Sequence, residues 1–538
     1  MSLRPFNIAK IALFLLPAFM YAQDRYWVFF SDKEESVSMY QSNDFLSERS
    51  IERRSDQGIE IIENDYPVSP GYLKEVENLG FEIYRESRWL NAVSVRLSDP
   101  EDIASLKGLT FVKKVRKIKR YHHSEPELKN HPHYRSAATP YGASYGQIAQ
   151  LNGYLVHEKG HKGEGIVIAV MDASFYLVDE LFVFDSLWAN NRILDTWDFV
   201  LDQDVDYDID AIGSHGTMVL SCMGGYMEDS LIGTAPESTY LLYRTEDSSS
   251  ETLAEEDNWV VAAERADVQG AQVINTSLGY SDLWDDPENS HTYADMDGNT
   301  TVITRAADIA ASKGMLVVNS AGNSGDKDWY YITAPADGDS VLTVGAIDVD
   351  SILTSFSSHG PTADGRMKPN VVAQGLDAVV CDLENGIRTA NGTSFSSPIL
   401  AGMAASVWSA MPEISSMQLY DLIQKSGHLY PSGNNYYGYG VPDLYQVLQQ
   451  IGIDEIVDND LSVYPNPFED HLILDLSQFD SGKEVELSIY NHLGQQVYFK
   501  KAKVEPDHRI EIENDLPRAV YMLKAKQANQ EYYWKIVR

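Results

Sequence analysis

From residue 165 onward, apolar positions arrive in short, nearly continuous runs: GIVIAVMD, STYLLYRTE, AQVINTSLG, GMLVVNSAGN and SVLTVGAID. Runs this short, without a polar alternate face, predict strands buried on both sides, as in a parallel sheet. Between them, TLAEEDNWVVAAERADVQG and TTVITRAADIAASKG carry helical spacing and stop at Gly270 and Gly314. Glycine readily takes the left-handed turn that ends a helix. Strands alternating with helices predict an open α/β sheet that binds ligands at the carboxyl ends of its strands.

The pattern differs on both flanks. Within 23–120, YWVFFS, FEIYRES, NAVSVRLS and FVKKVRKI read as four strands, interleaved with two helices at SPGYLKEVENLG and DPEDIASLKGL. This predicts a small α+β split β-α-β sandwich, the second helix starting at Asp99 with Pro100 in its first turn and Asp102 three residues on. Residues 121–145 lack apolar periodicity and are rich in His, Pro and Ser, so they predict an exposed, protease-sensitive connector. The histidines there, His122, His123, His131 and His133, lack the fixed spacing of a zinc site and read as a solvated loop. A domain over 146–450 follows, then an acidic linker at 451–460. Residues 461–538 alternate short strands at LSVYPNP, HLILDLS, EVELSIYN, QQVYFKKAKV, HRIEIE and VYMLKAK, which predicts a small all-β sandwich. No period of about 20–50 residues recurs, which argues against a repeat protein.

Composition narrows the function classes. The 538 residues are 43% hydrophobic, enough for a large core and more than one domain. Eighty acidic against 42 basic side chains give a formal charge of -38, which opposes nucleic-acid phosphate and anionic membranes. Cys222 and Cys381 are the only cysteines, and their spacing leaves open whether they pair or lie separately buried. At the start of the chain, Arg4 and Lys10 precede the apolar run Ile11–Met20, and Ala22 stands before Gln23. Residues 1–22 therefore read as a secretory signal peptide, although Met20 occupies a position where a small residue is preferred. The run is too short to span a bilayer and contains Pro17. No other segment approaches ~20 uninterrupted apolar residues, so a soluble mature protein is expected.

Four residues stand where chemistry is built. Asp172 follows IVIAVM at a strand's carboxyl end, a position that also serves metal, ribose or phosphate chemistry. His215 opens the apolar stretch after Gly213 and Ser214, where a packed or capping histidine is the alternative. Ser394 sits in NGTSFSSPILAGMAASVWSAM at a helix start, in a positive field. An isolated serine there is an ordinary N-cap. Asn323 ends a strand in a Gly-rich turn, where its amide either shapes the turn or donates to developing negative charge.

Taken together, the order Asp, His, Asn, Ser and the surrounding sequence resemble the subtilisin family across roughly 145–447. VINTSLGY at 273, FSSHGPTADGRMKPNVVAQG at 356, SAGN, LIGTAP and TVGAID extend the resemblance. It implies a subtilisin-like parallel sheet flanked by helices and a serine endopeptidase with Asp172, His215 and Ser394 as triad and Asn323 as oxyanion donor. It also implies a substrate pocket edged by Ser277, Leu278 and Gly279 and by Ser320, Ala321 and Gly322. The pocket floor is not identified by the resemblance; Trp329, Tyr330 and Tyr331 either close it or merely pack. Departures are Ala173 and Ser174 where the family has Gly two residues after the Asp, Met218 where it has a second His, and GTSFSSP at the serine.

The chemistry implied needs no cofactor. Structural calcium is common in the family, yet GGYMEDSLIG lacks its usual Asn-rich calcium loop; Asp295, Asp297 and Asn299 are oxygen-bearing metal candidates, or a solvated turn. Residues 23–120 resemble an inhibitory prosegment, with cleavage expected between Arg120 and Tyr145. Residues 461–538 resemble type IX secretion sorting domains through Tyr464–Pro467, Ile489–Gly494 and Lys535–Arg538, with Val520 replacing the family's Gly. Carbohydrate binding is the alternative for that domain. The partners expected are protein or peptide substrates, the chain's own prosegment and the type IX machinery, but no nucleic acid. The location expected is secreted or cell surface, by export through periplasm and outer membrane. A catalytically silent surface-binding module and a narrow processing protease are the competing readings.

Overall fold

The computed structural model describes residues 24–97, 102–118, 139–208, 213–247, 253–281 and 290–450, and 463–538 apart from 465–467, 469–470, 477–478, 492–495, 514–515, 518 and 528–529. The expected signal peptide, the helix start at Asp99 and Pro100, the connector histidines, the acidic linker 451–460 and parts of the two sorting motifs lie outside the described residues. The chain forms two compact units that divide between Val447 and Leu448.

The first unit opens with β1 (Asp24–Phe30), α1 (Glu34–Met39), α2 (Glu48–Asp56), α3 (Pro70–Asn78), β2 (Glu82–Ser87), β3 (Ala92–Leu97), α4 (Ile103–Lys107) and β4 (Val112–Ile118). Its antiparallel sheet runs β2-β3-β1-β4, and Tyr26, Val28, Val93 and Val95 pack beneath α3 and α4 on Val76 and Leu106. The four expected strands and two expected helices are present. Helices α1 and α2 escape the apolar pattern because the residues they bury are polar: Ser36 in α1, and Ser50, Arg53 and Arg54 in α2.

The larger part of this unit surrounds a seven-stranded parallel sheet. Its elements are α5 (Tyr145–Ala149), α6 (Gly153–Glu158), β5 (Val167–Asp172), α7 (Asp185–Ala189), β6 (Ile193–Asp198), α8 (His215–Gly224), the short hairpin β7 (Tyr226–Met227) and β8 (Leu231–Ile232), and β9 (Thr239–Arg244). They continue with α9 (Leu253–Gln269), β10 (Val273–Thr276), α10 (Val302–Ser312), β11 (Leu316–Ser320), β12 (Val341–Ile347), β13 (Val371–Gln374), the hairpin β14 (Ala378–Cys381) and β15 (Ile387–Ala390), α11 (Thr393–Ser409), α12 (Ser416–Lys425) and α13 (Leu444–Gln450). The order is β13-β12-β11-β10-β5-β9-β6. Strands β5, β10, β11 and β12 are buried at every position, as their unbroken apolar runs require. Strand β6 was not predicted: it lies at the sheet edge and is largely half-exposed, so its apolar signal is weak. Helices α8 and α11 pack together on one face, and α9 and α10 together on the other. The order of strand addition reverses around β5, which opens a crevice at the carboxyl ends of β5, β10 and β11.

The N-terminal domain is bound to α9 by charge as well as by apolar contact. Trp89, in the β2–β3 turn, enters the core formed by α9 and α10. Asp267, fully buried in the last turn of α9, receives Arg54 at 2.7 Å and also pairs with Arg53 and Arg88. Burial pushes its carboxyl up, but the guanidiniums of Arg53, Arg88 and Arg54 outweigh this and hold it below its ordinary value. Arg54 also reaches Asp65 at 2.9 Å, and Asp65 pairs with Lys313 at 3.0 Å. Glu264 accepts the backbone N–H groups of Arg88 at 2.9 Å and Trp89 at 3.2 Å. Arg116 of β4 meets Asp257 at 2.9 Å, where burial pushes the Asp257 carboxyl up to about 7.

The second unit consists of β16 (Val463–Tyr464), β17 (His471–Asp475), β18 (Glu484–Tyr490), β19 (Gln496–Lys503), β20 (Arg509–Glu513), β21 (Val520–Gln527) and β22 (Gln530–Val537). Two antiparallel sheets, β16-β17-β20 and β19-β18-β21-β22, close on Leu472, Leu474, Leu487, Leu523 and Trp534. This is the expected small sandwich, with β22 as a strand the sequence pattern did not separate from the basic end.

Two outcomes test the junction. Asp267→Ala leaves Arg53 buried without a counter-charge, takes one of two carboxylates from Arg54 and Arg88, and weakens docking of the N-terminal domain by about 3–5 kcal/mol. Amide exchange of α2 and β4 in the full-length chain reads this as faster exchange. Burial raises the Asp257 pKa above its ordinary value, so the stability this group contributes to the folded chain is complete below about 3.8 and is lost as pH rises through about 7. Exchange of β4, corrected for its intrinsic pH dependence, therefore quickens between about pH 4 and 7, and less steeply in Asp257→Asn.

Candidate active site

The strand that ends at Asp172 delivers a buried carboxylate, 2% exposed, to the crevice. Its Oδ1 accepts the Ala173 N–H at 2.7 Å and faces His215 Nδ1 at 2.7 Å. His215 is the first residue of α8, reached through Gly213 at φ +75. The approach of α8 to the strand end leaves no room at Gly216: a Cβ there would stand 2.1 Å from the Ser174 carbonyl oxygen. Ser174 also donates through Oγ to the Gly213 carbonyl at 2.7 Å, tying the two chain segments together. The departures at Ala173, Ser174 and Met218 are thus accommodated, with Met218 buried inside α8.

Ser394 is the second residue of α11, nearly buried at 9% exposure. Its Oγ donates to the Ser277 carbonyl at 3.2 Å, and Ser277 Oγ donates back to the Ser394 carbonyl at 2.9 Å. Phe395, next along the helix, lies 6.0 Å from the His215 ring between centroids. Asn323 follows β11. Its Oδ1 accepts both the N–H and the hydroxyl of Thr393 at 2.9 Å, which fixes the amide and leaves Nδ2 on the side of Gly392. Thr393 was not singled out from the sequence; its place just before Ser394 at the helix start was the available signal.

The two expected pocket edges lie at and just beyond the carboxyl ends of adjacent strands, β10 and β11. Asn319 donates to the Leu278 carbonyl at 3.2 Å and Ser320 Oγ to the same carbonyl at 3.4 Å, joining Ser277–Gly279 to Ser320–Gly322. Trp329 packs against the core of α9 and α10. Tyr331 stacks on Tyr293 at 4.0 Å, and Tyr330 lies against His359 at 4.8 Å. These rings thus form contacts of their own.

The metal candidates are engaged locally. Asp295 Oδ2 accepts the Thr292 N–H and hydroxyl at 2.7 Å, while Asp297 Oδ1 accepts the N–H groups of Asn299 and Thr300 at 2.8 Å. Among the described residues no three His, Cys, Asp or Glu side chains group to hold a metal ion. Asp295 and Asp297 thus hold the backbone of their own turns, and Asn299 contributes its N–H to Asp297. Cys222 and Cys381 are free and buried; burial raises both thiols, Cys381 to about 12.

Comparison with known proteins agrees with this layout. Residues 163–440 match the subtilase family, residues 25–132 a peptidase S8 propeptide domain of Bacteroidota, and residues 462–538 a secretion system C-terminal sorting domain. The chain is 30% identical over 262 residues to a thermophilic serine proteinase of Bacillus sp. (strain AK1), covering 48% of this chain and 57% of that protein. It is 27% identical over 310 residues to serine protease AprX of Bacillus subtilis (strain 168), covering 52% and 65%. It is 25% identical over 378 residues to subtilisin E of the same strain, covering 70% and 85%. The chain thus spans less than two thirds of the first two relatives. Among the described residues no helix is long and apolar enough to cross a membrane.

Gly216→Ala is expected to push α8 off the strand end and break the Asp172–His215 hydrogen bond. The readout is loss of the downfield Nδ1 proton resonance of His215 in the full-length protein.

Proposed function

The chain belongs to the subtilase family, and from that premise we propose that it is a secreted serine endopeptidase acting through Asp172, His215 and Ser394. The observation that carries this reading is the 2.7 Å bond between Asp172 Oδ1 and His215 Nδ1 beside a helix whose second residue is serine. With Nδ1 so engaged, Nε2 is the nitrogen that takes the proton. His215 accepts the Ser394 hydroxyl proton as Oγ attacks the scissile carbonyl, and later gives it to the leaving amine. Asp172 holds the ring's orientation and stabilises the imidazolium. The resting contact of Ser394 Oγ with the Ser277 carbonyl breaks by rotation about one side-chain bond.

Negative charge developing on the carbonyl oxygen falls between Asn323 Nδ2 and the Ser394 N–H, at the positive end of α11. Thr393 holds the Asn323 carbonyl oxygen, so the amide is oriented before substrate arrives. An extended peptide lies along Ser277–Gly279 and Ser320–Gly322, adding as a strand. No cofactor takes part in these steps.

The remaining segments support a zymogen and an export route. Residues 1–22 act as signal peptide, 23–120 as an inhibitory prosegment, 121–145 as the cleaved connector and 146–450 as the catalytic domain, followed by the linker 451–460. The sorting domain 461–538 directs the chain through the type IX machinery across the outer membrane. Docking of the prosegment through Asp267 and Trp89 supports its role as a folding partner and inhibitor.

A fluorophosphonate probe tests the reading. Processed protein takes one label, Ser394→Ala takes none, and absence of label on processed wild type overturns the proposal in favour of a silent binding module. Asn323→Ala lowers kcat by about 10²–10³ with little change in KM, a magnitude taken from the same donor in a subtilisin. Steady-state peptide hydrolysis measures it.

A further inference from the structure

The slot between Ser277–Gly279 and Ser320–Gly322 has a third wall that belongs to neither strand. Residues 332–334 cross behind it. Tyr280 and Ala334 exchange both backbone hydrogen bonds, Tyr280 N–H to the Ala334 carbonyl at 2.8 Å and Ala334 N–H to the Tyr280 carbonyl at 3.0 Å. Thr333 is therefore held at the level of Gly279. Its carbonyl is held as well, by the Ala336 N–H at 2.8 Å.

The side chain of Thr333 meets both edges. A Cβ built on Gly279 would stand 2.0 Å from Thr333 Oγ1 and 3.0 Å from its Cβ. A Cβ built on Gly322 would stand 3.1 Å from the same Oγ1 and 3.3 Å from Thr333 Cγ2. One threonine thus touches the glycine of each edge; it leaves Gly279 no room for a side chain, while Gly322 is required also by its φ of +107 and by Ser358 Oγ, 2.9 Å from a Cβ built there. A β-branched side chain has few rotamers, and with its backbone fixed on both sides Thr333 cannot swing aside to deepen the slot. The residue is 3% exposed, yet its hydroxyl has no hydrogen-bond partner. An unpartnered buried hydroxyl costs free energy, and a ligand group placed against it recovers that cost.

Resting on the proposed peptidase reading, we infer that Thr333 is the floor of the primary specificity pocket and restricts the residue before the scissile bond to small side chains, with serine favoured over alanine. The length limit comes from the Thr333 methyl and hydroxyl closing the slot between Gly279 and Gly322. The polar preference comes from Oγ1, which offers both a donor and an acceptor to a short hydroxyl side chain and nothing useful to a long apolar one. Thr333 acts on the choice of substrate and takes no part in proton transfer.

Tetrapeptide p-nitroanilides differing only at the last residue test this on the self-processed enzyme. The expected kcat/KM for Ser and Ala exceeds that for Phe and Leu by at least about ten-fold. Thr333→Gly removes the floor and raises the Phe/Ala ratio at least about ten-fold. Thr333→Val keeps the size of the floor and removes only the hydroxyl, so it retains the small-residue limit and loses about five-fold in the Ser/Ala ratio. Efficient cleavage after Phe or Leu by wild type, or an unchanged profile in Thr333→Gly, overturns the inference, as does a Ser/Ala ratio that survives in Thr333→Val. If no substrate is cleaved and Ser394 takes no fluorophosphonate, the peptidase reading itself fails and takes this inference with it. Labelling with the wrong profile overturns only the role of Thr333.

Discussion

Helix α11 is buried along almost its entire length, from Thr393 to Trp408, between the parallel sheet on one side and α6, α8 and α12 on the others. A helix enclosed all round has no freedom to roll or slide, so the group at its start is held where the layers put it. The close packing relies on missing side chains. A Cβ on Gly402 would stand 2.1 Å from Thr234 Oγ1, and one on Gly153 would stand 2.1 Å from Met403 Sδ. Buried hydroxyls on the helix are satisfied across the layers, Ser397 to Asn275 at 2.9 Å and Ser406 to the Thr234 carbonyl at 2.7 Å. Ser394 inherits its position from these contacts.

The same face of the sheet carries α8, whose first residue is His215. Two helices that begin near the carboxyl edge and pack on each other bring their N-terminal residues into one crevice. Asp172 and Asn323 arrive from the strands beneath. The bond from Thr393 to Asn323 joins the start of α11 to the end of β11, and that from Ser174 to Gly213 joins the end of β5 to the start of α8. Four residues far apart in the chain are thereby mounted on one layer boundary, and the positive helix end is available to charge that develops there.

On the opposite face, α9 shows how a chain of net charge -38 manages its acidity. Trp259, Val260, Ala263 and Ala266 enter the core, while Asp257, Glu264 and Asp267 are covered by the N-terminal domain. An aspartate in the last turn of a helix is opposed by the helix dipole, and burial adds to that cost; Arg53, Arg54 and Arg88 offset both. Desolvation of the charges offsets much of the attraction in buried pairs of this sort, so their net contribution is smaller than the cost of breaking them. Release of the N-terminal domain would uncover an acidic stripe on α9.

Much of this was legible in the chain itself. Unbroken apolar runs announced β5, β9, β10, β11 and β12, because a strand covered on both faces has no polar alternate to hide it. Glycines placed the ends of α9 and α10, with φ of +82 at Gly270 and +90 at Gly314. Helix α2 and strand β6 were not legible, since a helix that buries arginines and a half-exposed edge strand break the rule that buried means apolar. Local order and motif nominated Asp172, His215, Asn323 and Ser394, and left open whether Asp295, Asp297 and Asn299 bind a metal or shape a turn, because the hydrogen bonds that Asp295 and Asp297 accept are set by the folded backbone. The ion pairs on Asp267 and the contact of Thr333 with both Gly279 and Gly322 join residues remote in sequence. Sequence by itself determined which apolar segments are buried and which chemical groups are available, because apolar patterning and chemistry are written residue by residue. Only the tertiary structure decided which of those groups meet, because that depends on how layers separated by scores of residues close on one another.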